Sequence, residues 1–302
     1  MKFFEKEKIG RFERNYYIFG KKIWTRMKKK DFSKLNKTRK FDTLYTAKCL
    51  RSLNAKINTA ETLIIGHSHA RLGFIEDEKS INFGIDSQDL YYSYMILDKY
   101  KNMIPNLKNV VLFFAIFSPG HDLILSPDTY RTIYYDIFMD IPYKNKLLVY
   151  QYGCLELAKK VEKLKKYVNE NLKNIPTDLM AEKHKGNVTK ELEDRWINRW
   201  IKLNKLNTEM HFVKNMLDIC ESKGLKLTIV LSPYNPRIKH RLPSCEECFG
   251  SLFEITKNYS CVQILNTYDS DDFVEDDFLD IEHLDVSGAK KITNKINKII
   301  RE

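Results

Sequence analysis

The sequence predicts an α/β fold of three layers, in which helices cover both faces of a mainly parallel five-stranded sheet, together with a helical insertion. Four short, mainly apolar runs and one further short strand-like segment occur along the 302 residues, and continuous apolar runs are typical of parallel strands buried on both faces. Segments of helical periodicity alternate with these runs, so the connections are expected to be right-handed crossovers. With 43% hydrophobic residues, the chain can build a core of that size.

Four strand predictions rest on mainly apolar runs bounded by glycine, proline or polar residues, at 61–66, 109–117, 226–232 and 262–265. The segment at 80–84 also predicts a short strand. The run at 109–117 is the most continuous of the four, and it predicts a strand that is exposed on neither face.

Three helices are predicted around these strands. Asp86 is expected to cap a helix that ends near Tyr100, because apolar side chains recur there at helical spacing. A second helix is predicted at 209–222, closed by Gly224. Ser287 is expected to cap a last helix that continues almost to the end of the chain.

The predicted insertion lies between the third and fourth strands, at about 122–208, where the sequence is polar and helical in pattern. An amphipathic stripe lies at 155–168, and Trp196 and Trp200 are one helical turn apart. We interpret the insertion as a lid or an acceptor platform over a site in the α/β domain.

The net charge of +11 lies entirely in the first 40 residues, which hold 15 basic and 4 acidic side chains. The sequence therefore predicts a basic, aromatic-rich N-terminal arm at 1–55 and a neutral α/β domain at 56–302. A neutral body argues against a nucleic-acid partner. Basic residues mixed with aromatic ones predict that residues 1–40 contact an anionic membrane surface. A solvated, partly disordered arm is the alternative.

No segment has the length or composition of a membrane span or a secretory signal. The longest purely apolar run, at 110–117, has eight residues, against roughly 20 needed to cross a bilayer. Charges at residues 5–8 interrupt the N-terminus, and no apolar signal region follows them. We expect a cytoplasmic protein that is peripheral on the inner face of the membrane.

The six cysteines are scattered, which argues against a disulfide framework. Cys245 and Cys248 have the spacing of metal ligands, with His240 and Cys261 nearby. A second pair of ligands is missing from this segment, so structural thiols are favoured over zinc and no metal site is predicted.

Functional residues of parallel sheets usually lie at the carboxyl ends of the strands. Two polar segments are predicted to lie there. Ser68 comes just after the first strand, and Asp280 and His283 form a D-x-x-H turn before the last helix. A serine, a histidine and an acid that orients the histidine are the three parts of serine acyl-transfer catalysis. The alternatives are a helix N-cap for Ser68 and a solvated acidic loop for the other two.

These segments resemble the SGNH (GDSL-like) hydrolase superfamily over residues 60–120 and 225–302. Gly66-His67-Ser68 is similar to the first block of that family, Gly84 to the second, and Asp280-x-x-His283 followed by Gly288-Ala289 to the last. The resemblance implies a flavodoxin-like fold, a triad of Ser68, Asp280 and His283, and an oxyanion hole formed by the amides of Ser68 and Gly84.

The sequence departs from the family pattern at two places. His67 stands where the family usually has aspartate, and the G-x-N-D block is replaced by a segment at 117–121 that contains Ser118. Ser118 is therefore a candidate third donor to the oxyanion hole. The segments 87–94 and 117–119 resemble members encoded with bacterial surface-polysaccharide genes.

The resemblance implies a serine-dependent O-acyltransferase or O-acyl esterase, acetyl being the expected acyl group, acting on bacterial capsule or lipooligosaccharide or their glycolipid precursors. A catalytically weak or inactive glycan-binding scaffold is the alternative. No cofactor is required, and acyl-CoA is a candidate donor. Candidate substrate contacts are His67, His69, Tyr91, Trp196 and Trp200, with the first two side chains expected to point apart.

Overall fold

The computed structural model describes residues 4–9, 13–18, 21–27, 36–151 and 189–301. The described residues form two compact units. One contains the residues up to Lys48 together with those from Leu123 to 151, and the other contains Cys49–Asp122 together with 189–301. The predicted boundary lies between residues 55 and 56. In the structure, the chain passes from the first unit to the second between Lys48 and Cys49.

The first unit begins with a three-stranded antiparallel sheet in the order β1-β2-β3, a feature that the sequence analysis does not predict. Its strands are β1 (Phe4–Ile9), β2 (Glu13–Ile18) and β3 (Lys21–Met27). All three contain several charged residues and no long apolar run. Antiparallel strands can expose one face to water, and therefore do not need the continuous apolar run by which buried strands are recognised.

The described α-helices of the first unit are α4 (Thr132–Met139), α5 (Lys146–Gln151) and the first part of α1 (Asn36–Lys56). A buried ion pair joins Asp42 of α1 to Arg131, the residue before α4. Arg131 donates to both carboxylate oxygens of Asp42, at 3.2 and 3.3 Å, and the Tyr130 hydroxyl also donates to Asp42. Opposite charge and hydrogen bonds satisfy a carboxylate that would otherwise be costly to bury.

The second unit contains a five-stranded, all-parallel sheet in the order β5-β4-β6-β7-β8. Its strands are β4 (Thr62–Gly66), β5 (Ser80–Gly84), β6 (Asn109–Phe114), β7 (Lys226–Leu231) and β8 (Val262–Asn266). The five predicted strands are confirmed, although 109–117 ends three residues early. Counted from β4, the order is 2-1-3-4-5, the doubly wound arrangement in which ligands bind near the first and third strands.

Helices cover both faces of this sheet, as the fold class predicts. They are α2 (Ser68–Gly73), α3 (Leu90–Tyr100), α6 (Lys190–Asn204), α7 (Met210–Lys223), α8 (Pro236–Lys239), α9 (Cys245–Thr256) and α10 (Val286–Arg301). Ile64 packs in one core cluster with Ile292 of α10. Its neighbour Ile65 pairs with Phe83, whose ring stacks on Tyr100 of α3 at 5.0 Å. Successive side chains of a strand point to opposite faces, so α10 and α3 lie on opposite sides.

Two predicted helix caps are wrong by a few residues. Asp89, rather than Asp86, caps α3 by accepting the N–H of Tyr92, while Asp86 pairs with Arg71 at 2.6 Å. Asp285, rather than Ser287, accepts the first amides of α10, at 2.7 and 3.0 Å. In both places, two residues that can cap a helix occur within three positions of each other. Which of them accepts the first amides depends on the residue at which the backbone becomes helical.

The described parts of the predicted insertion, 122–151 and 189–208, contain helices that are joined by turns and loops. The stripe at 155–168 lies outside the described residues. Within the described residues, no helix is both long and apolar enough to cross a membrane. The expected contact with an anionic membrane surface stays a prediction.

Gly66 is expected to be essential for stability, because its φ of +130° strains any other residue and an added Cβ would lie 2.9 Å from the carbonyl oxygen of Phe113. We expect Gly66→Ala to lower the free energy of unfolding by about 2–5 kcal/mol. Gly224→Ala is the matched control, since Gly224 has φ +65° with no atom within 4 Å, and should cost about 1–2 kcal/mol. Urea unfolding measures both, and equal losses would contradict the close contact at Gly66.

Candidate active site

Ser68 lies directly after the carboxyl end of β4 and is the first residue of α2. The N-cap is His67, whose Nδ1 accepts the N–H of His69 at 3.4 Å, so Ser68 does not serve as the cap. Its Oγ lies 2.8 Å from Nε2 of His283. The strand, the tight turn at Gly66 and the short helix thus direct the hydroxyl at an imidazole 215 residues away in sequence.

The D-x-x-H turn is held by the carboxylate of Asp280. Its Oδ1 accepts the backbone N–H groups of Glu282 and His283, at 2.9 and 2.8 Å, and its Oδ2 lies 2.7 Å from Nδ1 of His283. One carboxylate therefore shapes the loop and orients the ring. With Nδ1 directed at Asp280, the other ring nitrogen faces the Ser68 hydroxyl, as a serine–histidine–acid triad requires.

The charges of this site favour a protonated imidazole. Burial opposes ionisation of Asp280, but its hydrogen bond and charge interaction with His283 outweigh burial and lower the pKa of Asp280 to about 2. Burial likewise disfavours the charged form of His283, while the charge of Glu282 and the bond to Asp280 raise the pKa of His283 to about 9. Two acidic groups therefore stabilise the imidazolium that forms when a serine gives up its proton. The neutral ring, whose Nε2 can accept this proton, is the main form of His283 only above about pH 9 and a minor form near neutral pH.

Glu282 is a site residue that the sequence analysis did not single out. Its Oε2 lies 3.3 Å from Nε2 of His69, and burial raises the pKa of Glu282 to about 7. Its position inside the D-x-x-H motif was the available clue, but the contact with His69 joins residues 213 apart in sequence. Tyr234 was also missed, although it follows the carboxyl end of β7, and its ring lies 5.8 Å from that of His69.

His67 and His69 do not point apart, which corrects the prediction. Their rings meet edge to face with centroids 4.6 Å apart. Both are buried, and burial lowers the pKa of each well below its ordinary value. The two rings are therefore neutral at physiological pH, so they add no positive charge beside Ser68.

The two departures from the family pattern contact each other. Ser118 Oγ lies 3.4 Å from Nε2 of His67 and accepts the N–H of Ala115 at 2.9 Å. Because Nδ1 of His67 accepts from His69, the neutral His67 ring carries its proton on Nε2 and donates it to Ser118. In this arrangement the Ser118 hydroxyl accepts a hydrogen bond from the ring of His67, the residue before Ser68. Its predicted part in an oxyanion hole stays a prediction.

Gly84 does not offer its amide to a substrate, which corrects its predicted place in the oxyanion hole. Its N–H donates to Oδ1 of Asn82 at 2.8 Å. A Cβ on Gly84 would lie 2.5 Å from the nitrogen of Arg71, in the helix that begins at Ser68. Gly84 is thus required for close packing of α2 on the sheet. By contrast, no acceptor for the N–H of Ser68 is found among the described residues.

The three aromatic candidates for substrate contact differ in how far their side chains are exposed to solvent. Tyr91 packs on Phe212 with ring centroids 5.3 Å apart. Trp200 is buried, and its ring lies 5.4 Å from that of Tyr234. Trp196, on the same helix α6, is partly exposed. Trp200 therefore belongs to the protein interior, whereas Tyr91 and Trp196 are both partly exposed.

Among the described residues, no cysteine belongs to a group of three or more potential metal ligands. Cys248 lies near the hydroxyl of Tyr268 and Cys245 near the amide of Asn266, and burial raises the pKa of both thiols, to about 11 and about 12. In the described part of the chain, the histidine, cysteine and acidic side chains that come close enough to share an ion are His69, Glu282 and His283.

Comparisons with known proteins add little beyond this geometry. No protein-family model matches the chain, and no curated protein matches its sequence. A solved structure described as "a putative platelet activating factor from Streptococcus pneumonia" is similar to it with a TM-score of 0.46 and 11% identity. The match covers 90% of this chain and 99% of that one.

Proposed function

We propose that this chain is an SGNH-type serine enzyme that moves an acyl group from an ester or thioester to water or to a sugar hydroxyl. The observation that carries the proposal is the continuous contact from Ser68 Oγ to His283 Nε2 at 2.8 Å, and from His283 Nδ1 to Asp280 at 2.7 Å. A structural serine does not need a histidine oriented by a carboxylate. Nucleophilic catalysis needs that pair.

The proposed reaction proceeds in two halves. Nε2 of His283 takes the proton of Ser68 while Oγ attacks the carbonyl carbon, and the tetrahedral intermediate collapses when the same proton passes to the leaving oxygen or sulfur. The acyl group is then bonded to Ser68. Water or a sugar hydroxyl gives its proton to His283, attacks the acyl carbon and releases Ser68, which regains a proton from His283.

Negative charge on the intermediate needs hydrogen-bond donors. The N–H of Ser68 suits this purpose, because the first amides of a helix have no partner within the helix. Neighbouring amides are already engaged: Gly84 bonds Asn82, and His69 bonds His67. Fewer donors predict slower turnover than in enzymes with a complete oxyanion hole, since each lost donor costs about 10²–10³ in rate.

Surface carbohydrate and its glycolipid precursors are the proposed acyl acceptors or substrates, with acetyl as the acyl group and acyl-CoA as a candidate donor. This part of the proposal rests on the family resemblance and on partly exposed Trp196, whose ring can stack on a sugar. A glycan-binding scaffold is the second candidate, and the engaged amide of Gly84 favours it.

An acyl-enzyme experiment tests the proposal. Full-length protein mixed with p-nitrophenyl acetate should release a burst close to one equivalent of p-nitrophenol. Peptide mass spectrometry should then find one acetyl group on the peptide that contains Ser68. Adding an oligosaccharide acceptor distinguishes the two enzymes, because a transferase yields acetylated sugar and an esterase yields acetate. A scaffold protein would give neither a burst nor an acetylated Ser68.

A further inference from the structure

Three metal-binding side chains meet beside the proposed triad. His69, Glu282 and His283 each place a ligand atom within 4.8 Å of the other two. His69 comes from α2, and the other two come from the loop before α10. Two imidazoles and one carboxylate form a ligand set that zinc and similar divalent transition ions favour. We propose that these three residues bind such an ion, and that the ion inhibits the acyl transfer proposed above.

The distances suit a small tetrahedral ion after a modest rearrangement. Bonds of about 2.1 Å to nitrogen and oxygen place two ligands of a tetrahedral ion about 3.4 Å apart. Nε2 of His69 and Oε2 of Glu282 are already 3.3 Å apart. The widest separation in the group, at most 4.8 Å, has to shorten by roughly 1–1.5 Å to reach that spacing. Rotation of the partly exposed Glu282 and His283 side chains, which are 18% and 22% exposed, can supply this change.

The surroundings of His283 resemble those of a metal ligand. Its Nδ1 is bonded to Asp280 at 2.7 Å, which leaves Nε2 to face the cluster. Metal-bound histidines usually make such a bond to a carboxylate through their other nitrogen. The His69 side chain is 3% exposed, and its Nε2 faces Glu282, while its Nδ1 has no partner among the described residues. His283 therefore has the second bond of a typical metal ligand, and His69 does not.

Inhibition follows from competition for one lone pair. Nε2 of His283 is the atom that accepts the proton of Ser68 in the proposed reaction, at 2.8 Å from Oγ. An ion bonded to that nitrogen occupies the lone pair, so His283 can no longer act as the base. The inhibitory effect therefore rests on the proposed function, whereas binding of the ion does not.

Isothermal titration of the full chain with Zn²⁺ tests binding directly. We expect one ion per chain, and both Glu282→Gln and His69→Phe should weaken binding at least about tenfold, because each removes a ligand of a three-ligand site. The matched controls are Glu254→Gln and His240→Phe, in exposed positions outside the cluster, and both should bind as the unaltered protein does. Cys245→Ser checks the other candidate ligands and should also leave binding unchanged.

Two results would overturn the site: no Zn²⁺ binding, or binding that both cluster variants retain. Using two variants keeps the test valid if one of them fails to fold, which circular dichroism would reveal. For inhibition, Zn²⁺ should lower the rate of p-nitrophenyl acetate hydrolysis, and a chelator should restore it. Glu282→Gln should need at least about ten times more Zn²⁺ for the same fractional inhibition.

The two proposals fail in distinguishable ways. Binding of Zn²⁺ that depends on His69 and Glu282, in a protein that gives neither a burst nor an acetylated Ser68, would overturn the proposed function and support the metal site. Full activity in the presence of saturating Zn²⁺ would overturn the inhibition. Activity with no ion binding would leave the triad supported and remove the metal site.

Discussion

Replacing Ser68 with alanine is expected to abolish the acyl-enzyme burst and to lower kcat for p-nitrophenyl acetate by about 10⁴-fold or more. Alanine removes the Oγ atom that forms the acyl ester in the proposed reaction, while the small side chain fits the same place at the start of α2. His283 and Asp280 keep their mutual bond at 2.7 Å, so the loop should stay in position. Stopped-flow absorbance of p-nitrophenol measures the burst and the steady state together.

Ser270→Ala is the matched control for this experiment. Ser270 bonds Asp272 in the acidic loop and has no contact with Ser68 or His283 among the described residues. Its loss should leave the burst and kcat within about twofold of the unaltered protein, as is usual for a surface substitution. Equal rates for the Ser68→Ala variant and the unaltered protein would rule out Ser68 as the nucleophile.

Asp280→Asn is expected to lower kcat by about 10³–10⁴-fold while preserving the fold. Asparagine keeps an oxygen that can accept the amides of Glu282 and His283, so the turn survives. Its NH₂ group then faces Nδ1 of His283, which has to accept a hydrogen bond. The ring consequently carries its proton on Nε2, where it cannot take the proton of Ser68.

Steady-state kinetics and thermal unfolding together measure this effect. Asp271→Asn is the control, because Asp271 lies in the same acidic run with its side chain fully exposed, and its kcat should change little. If Asp280→Asn kept kcat within tenfold of the unaltered protein, then Asp280 would shape the loop without orienting the base.

The inner strands of the second unit could be predicted because they are buried on both faces. The residues of β4 and β6 are all buried, so each of these strands is a nearly continuous apolar run that is visible in the sequence. The edge strand β5 is also buried although it contains Ser80 and Asn82, and β8 is partly exposed. Strands β1, β2 and β3 were not predicted, because their charged residues hide the pattern. The pairing of these strands depends on backbone hydrogen bonds between segments, which composition does not reveal.

The triad could be predicted from position, since Ser68 follows a strand and Asp280 and His283 precede the last helix. The oxyanion hole could not be predicted in the same way. Gly84 occurs where the family resemblance places a donor, but Asn82 two residues earlier takes its N–H. Ser118 and His67 depart separately from the family pattern in sequence, and only the folded chain shows that they contact each other.

The sequence by itself determined the α/β class, the five parallel strands and the three residues of the proposed triad, because each depends on local hydrophobic pattern or on position along the chain. Tertiary structure alone decided which amides are already engaged, and it placed Glu282 beside His69 and His283. The contact of Glu282 with His69 joins residues 213 positions apart. Its distance depends on how strands and helices pack, so no local pattern specifies it.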